Sequence, residues 1–252
     1  MKYIYIIISI LLLSFSANCE DIHITADTQV EWHQNEQKMV AIGNAIAQKK
    51  DMSIKAEKLS AKYSKNSLGK NEISEIHAEQ NVVMTSKDTQ AFGNTLDYLI
   101  SQDAAILKGM PAKIKTPTEE ISANNSITYY PKQQKAIALG DVMAIDKDGN
   151  KLYSDIMTAY FEKDTNGQLQ MNRVEIDGNV KIITKDAKVT ALKGLYLPNI
   201  AKVKLFDNVT IYQGENILKG DEAETNLNTG ISRLLSQKKN GRVSGVFKEK
   251  KR

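Results

Sequence analysis

Three histidines, one cysteine and scattered carboxylates are the residues of this chain with the means to hold a metal or break a bond. His23, His33 and His77 lie far apart and show none of the short intervals that bring imidazoles onto one ion, so they read as surface strand residues. Asp146-Lys147-Asp148-Gly149-Asn150 has the opening rhythm of a calcium loop but lacks the remaining ligand series and the distal Glu. It reads instead as a polar hairpin turn. Asn208-Val209-Thr210 matches a glycosylation acceptor, yet it falls within an expected strand and is given no weight. Nothing resembles a phosphate-binding loop. The expectation is therefore a protein without catalytic residues, metal or cofactor.

What the sequence does carry is a repeated phrase. "EIDGNVKIITKD" (175–186) returns as "AIGNAIAQKKD" (41–51), "HAEQNVVMTSKD" (77–88), "ALGDVMAIDKD" (138–148) and "LFDNVTIYQGE" (205–215), with a degenerate copy, "LKGMPAKI", in which Pro111 replaces Val. Spacing of this kind belongs to stacked supersecondary units. Within the phrase, Val174, Ile176, Val180 and Ile182 share one parity, as do Val203, Leu205, Val209 and Ile211, which marks half-buried strands. A second strand type lies between the phrases, with Ala followed four residues later by an apolar residue: Ala26/Val30, Ala123/Ile127, Ala191/Leu195 and Ala223/Leu227.

Two geometries fit Gly178-Asn179. A two-residue hairpin would set Ile176 opposite Lys181 on one face, which a half-buried sheet disfavours. A continuous strand creased at the glycine, or a three-residue turn, keeps the four apolar residues together, and the length of the repeat favours the crease. The recurring Lys-Asp then supplies the turn that follows. Creasing strand after strand at one level folds an antiparallel sheet over itself, and the Val/Ile/Ala rows face a common interior. With two strands per repeat, about fourteen strands are expected.

The 252 residues, 41% of them apolar, are enough for one β domain or two ordinary ones. Residues 1–19, "MKYIYIIISILLLSFSANC", read as an export signal: Lys2, an uncharged stretch from Tyr3 to Phe15, then small residues suited to cleavage. The stretch is short for a membrane span. Cys19 is the single cysteine; cleavage after it removes the thiol, and acylation is the alternative. A net charge of +4 is too mild to imply a nucleic-acid partner.

The "GNV" phrases, the Ala-Glu/Asp…Leu…Tyr strands and above all the ending "LKGDEAETNLNTGISRLLSQKKNGRVSGVF" resemble the OstA/LptA-type periplasmic lipopolysaccharide-transport proteins, across residues 20–252. The resemblance implies an all-β, antiparallel, folded (taco-like) β-jellyroll, read as one domain over residues 20–252. It also implies a periplasmic bridge protein that passes lipid A acyl chains along a groove between inner and outer membranes. On that reading the groove residues are Val174, Ile176, Val180, Ile182, Val203, Leu205, Val209 and Ile211. An unclosed sheet leaves two edges for strand augmentation. The N-terminal edge, with Ile22, Ile24 and Val30, is expected to meet an LptC-like inner-membrane protein. The C-terminal edge, with Ile231, Leu234, Leu235, Val243 and Val246, is expected to meet an LptD-like outer-membrane protein. The same edges allow head-to-tail self-association. The basic tail "KKNGRVSGVFKEKKR" reads as a solvated terminus, or as an attraction for phosphorylated lipid. The rivals are a membrane-anchored LptC-type relative and, from another class, a β-solenoid polysaccharide-processing enzyme, which would need clustered carboxylates.

Overall fold

A computed structural model describes residues 22–65, 69, 71–165, 167–229, 231–236 and 243–246. The export-signal reading of residues 1–19 and most of the basic tail lie outside them. Among the described residues there are eighteen strands and two single 3-10 turns. The strands are β1 (His23–Thr25), β2 (Gln29–His33), β3 (Lys38–Lys49), β4 (Met52–Lys65), β5 (Asn71–Ser86), β6 (Thr89–Leu99), β7 (Ala104–Lys108), β8 (Ala112–Lys115), β9 (Glu119–Ala123), β10 (Ser126–Tyr130) and β11 (Lys135–Asp146). They continue with β12 (Lys151–Lys163), β13 (Leu169–Ile183), β14 (Lys188–Leu197), β15 (Lys202–Gln213), β16 (Asn216–Asn226), β17 (Ser232–Leu235) and β18 (Ser244–Val246). The chain divides into two compact units: an N-terminal unit up to Pro117 with Ser122–Ala138, and a C-terminal unit of Thr118–Ile121 with Leu139 onward.

The all-β, antiparallel expectation holds; the strand count of about fourteen is corrected to eighteen. The difference lies in strands that break rather than bend. β7 and β8, for example, both lie along β6. They are parted by Gly109-Met110-Pro111, where the Met110-Pro111 peptide is cis and proline has no N–H for the ladder. β1 and β2 divide β3 between them in the same way, as β17 and β18 divide β16. β9 and β10 are parted by Asn124-Asn125. Counting each pair as one interrupted strand returns fourteen.

The phrase that repeats is a crease. β13 runs unbroken through Gly178 (φ +77°) and Asn179 (φ +47°), so the hairpin alternative fails. The other copies do the same with Gly43-Asn44 in β3, Gln80-Asn81 in β5, Gly140-Asp141 in β11 and Asp207-Asn208 in β15, each a consecutive pair in the left-handed region. Glycine, asparagine and aspartate tolerate that region best. At Gly178 there is a second reason for glycine: a Cβ would come 2.7 Å from Cγ of Asp155. The neighbouring Asn179 donates its amide to both Asp155 oxygens, at 3.2 and 2.9 Å, and Asn44 donates likewise to Asp27 at 2.8 Å. The Gly-Asn pair thus bends the strand and ties the bend to its neighbour.

In each ladder the creased strand carries one residue more than its partner, the signature of a β-bulge. Ile42↔Lys58 gives way to Ala45↔Ala56, Glu79↔Thr95 to Val82↔Gly93, and Asp177↔Lys193 to Val180↔Ala191. On the creased strand the interior residues keep their parity across the bend. On the partner strand they slip by one: Ala56 then Leu59, Gly93 then Leu96, Ser154 then Met157, Ala191 then Gly194, Gly220 then Ala223. Small residues therefore lie opposite the crease, where Val82, Val180 and Val209 are almost wholly buried against Gly93, Ala191 and Gly220.

Candidate functional site

The C-terminal unit encloses an apolar cavity of about 760 Å³. Its walls come from both sides of the crease: Ile176, Tyr196, Val203 and Leu205 on one, and Leu152, Ile182, Val189, Ile211 and Leu218 on the other. The ladders explain the assembly. One interior row runs Met157, Ile176, Gly194, Leu205, Ala223 and Leu234 across β12 to β17. Beyond the bend a second row runs Leu152, Ile182, Val189, Ile211 and Leu218. Folding at Gly178-Asn179 and Asp207-Asn208 turns these rows toward one another, and the cavity is the space left between them.

Five of the eight residues expected in the groove line this cavity: Ile176, Ile182, Val203, Leu205 and Ile211. Val174, Val180 and Val209 are buried to 2% exposure or less and lie outside the cavity wall, packing the interior around the crease. Sequence reasoning missed Leu152, Val189, Tyr196 and Leu218. For β14 the cause is the one-residue slip: the Ala191/Leu195 spacing points to Leu195, but Leu195 stands opposite Glu175 and Lys204, and the interior positions are Gly194 and Tyr196.

The mouth is polar. Asp148, Asn150, Thr184, Lys185 and Asp186 come from two hairpin turns, and Thr225, Asn226 and Ser232 from the opposite rim. The turn at 146–150 is the polar hairpin expected from its sequence. Oδ1 of the buried Asp146 accepts from the backbone N–H groups of Asp148 and Asn150, each at 2.9 Å, and Oδ2 from the Asn150 amide at 2.8 Å. On the outer face, Lys202 and Lys204 pair with Glu224 at 2.9 and 3.5 Å; the hydrogen bond from Lys202 is the main reason its carboxyl lies below the usual range.

The histidines are on strand surfaces. His23 is exposed, His33 contacts Glu31 at 2.6 Å, and His77 contacts Asp97 at 2.6 Å on the N-terminal unit. Among the described residues no group of three or more His, Cys, Asp or Glu is set to hold a metal, and no helix is long and apolar enough to cross a membrane.

The expected edge residues divide. Ile22 lines two small cavities of the N-terminal unit, of about 30 and 20 Å³, with Ala47 and Ile76, and Ile24 and one side of Val30 line the second. Val30, Ile231, Leu235, Val243 and Val246 are exposed, and Leu234 is half-buried over Gly220. Trp32, also exposed, donates its indole N–H to the Tyr63 hydroxyl at 2.6 Å.

The model of the LptA/(LptD N-terminal domain) LPS transport protein family matches the chain twice, over residues 23–135 and 120–231. The crystal structure of LptH, the LptA homologous periplasmic component of the conserved lipopolysaccharide transport device from Pseudomonas aeruginosa, is similar at 20% identity with a TM-score of 0.43. That match covers 52% of this chain and 95% of the LptH chain. No curated protein matches the sequence.

Proposed function

The chain belongs to the LptA/LptD N-terminal domain family of lipopolysaccharide transport proteins, and from that premise we propose that its C-terminal unit holds the acyl chains of lipid A during transit through the periplasm. The observation that carries the reading is the apolar cavity of about 760 Å³ with a polar mouth. Acyl chains would lie against Ile176, Ile182, Leu205 and Ile211, and the sugar portion would stay at the rim beside Lys185, Asn150 and Asn226. Each buried methylene contributes about 0.8 kcal/mol, so chains can be held without covalent chemistry. Directed movement then needs an energy source outside this chain.

The bridge role adds two partner edges. Exposed Val30 on β2 and exposed Ile231 and Leu235 on and beside β17 support strand augmentation at the two ends, with an LptC-like inner-membrane protein at the first and an LptD-like outer-membrane protein at the second. A second copy of the chain could take either place and extend the assembly head to tail. The export-signal reading of residues 1–19 agrees with a periplasmic location.

The test is photo-crosslinking in cells making lipopolysaccharide. Crosslinkers at Ile182 and Ile211 capture lipid, while those at Lys181 and Thr210, on the opposite face, capture much less. Equal capture at both pairs removes the cavity as the binding site.

A further inference from the structure

We propose, on the reading that the cavity takes acyl chains, that Gly194 sets the depth of the cavity and with it the longest chain the protein accepts. Gly194 is buried in the middle of β14, directly opposite Ile176 on one side and Leu205 on the other. Both neighbours line the cavity. A Cβ at this position would meet Ile176 Cδ1 and Leu205 Cδ2, each at 3.3 Å, closer than side chains normally pack. The two side chains therefore lean together over the glycine and form a low floor.

Backbone conformation does not call for glycine at this position. Unlike the crease glycines, Gly194 is absent from the residues with positive φ. The repeat makes the choice more telling. The same place on the other partner strands, three residues past the small residue opposite the crease, holds Leu59 in β4, Leu96 in β6, Met157 in β12 and Ala223 in β16. Only small residues occur at the two of these positions, Gly194 and Ala223, that flank Leu205. A larger side chain at 194 lifts Ile176 and Leu205 into the cavity and shortens it.

The experiment measures binding of saturated fatty acids of stepwise increasing length to the full protein and to Gly194→Ala, Gly194→Leu and Gly194→Ala/Ile176→Val, each checked for native circular dichroism. For the native protein, affinity rises about fourfold per added methylene until the chain reaches the floor. The break comes at a shorter chain in Gly194→Ala and shorter still in Gly194→Leu, leaving the longest chains about four- to sixteenfold weaker. Ile176→Val removes one of the two atoms that a new Cβ would meet, leaving Leu205 Cδ2, so the break in the double variant moves back toward the native length; this arm decides the matter if Gly194→Leu does not fold. A native protein that binds no chain length overturns the cavity reading itself. Native binding with the same break in the folded variants overturns the role of Gly194 and leaves that reading intact.

Discussion

Gly178→Ala isolates what the crease costs to build. The backbone at this position has φ +77°, and holding an L-residue there costs about 1–2 kcal/mol. The added methyl also occupies space now held by Asp155, whose Cγ and Cβ lie 2.7 and 2.8 Å from the Cβ position. Asp155 must turn away and give up the bonds it accepts from Asn179, a further loss of about 0.5–1.5 kcal/mol. The single substitution should lower stability by about 2–3 kcal/mol in urea unfolding followed by far-UV circular dichroism, with the midpoint moving at constant slope. Asp155→Ala alone removes the same hydrogen bonds without touching the backbone and costs about 1 kcal/mol. The double variant Gly178→Ala/Asp155→Ala should then be about as stable as Gly178→Ala alone, because the second change deletes bonds already lost. Strict additivity, or a neutral Gly178→Ala, would refute the account of the crease as a strained bend tied down by its neighbour.

Three other outcomes follow from the structure. Burial, with the Asp103 charge behind it, pushes the Tyr129 hydroxyl up to about 12. Its contribution to stability is complete below the unfolded value near 10 and is lost as pH rises toward 12, so Tyr129→Phe should flatten the decline of the melting temperature across that window. Ile182→Asp places an unpaired carboxylate on the cavity wall and should abolish lipid capture; loss of folding instead, read by circular dichroism, would mark Ile182 as closed core. Leu235→Pro removes a backbone N–H from β17, and should weaken association through the C-terminal end in concentration-dependent solution scattering while lipid binding persists.

How far the sequence could be read depended on which strand was being read. On the creased strands Val174, Ile176, Val180 and Ile182 keep one parity because two left-handed residues separate the halves, so alternation survives the bend and is visible by inspection. On the partner strands the interior moves from Ala191 to Gly194, and from Gly220 to Ala223, and a fixed period of two goes out of phase. Hence the crease and the all-β class were legible, while Gly194, Tyr196 and Leu218 were not. The breaks at Gly109-Met110-Pro111 and Asn124-Asn125 escaped for another reason. Proline at 111 marks a missing ladder N–H, and two asparagines mark a turn, but neither by itself says whether a strand bends or stops.

The order of pairing has a consequence for how the chain comes to be folded. From β3 to β6 and again from β12 to β16, each strand is laid against the one before it in the chain, with only a few residues between them. Such near-neighbour pairing closes small loops at each step, so assembly can advance like a zip from any formed hairpin, without waiting for distant segments to meet. A half-emerged chain would already be zipped up to its newest hairpin. It would also always present one raw edge to its surroundings, open to strands of other unfinished chains. The outward pairs Asp177–Lys193 and Lys204–Glu224 put charge along that advancing edge, and would keep it available to the next strand of its own chain while discouraging strangers.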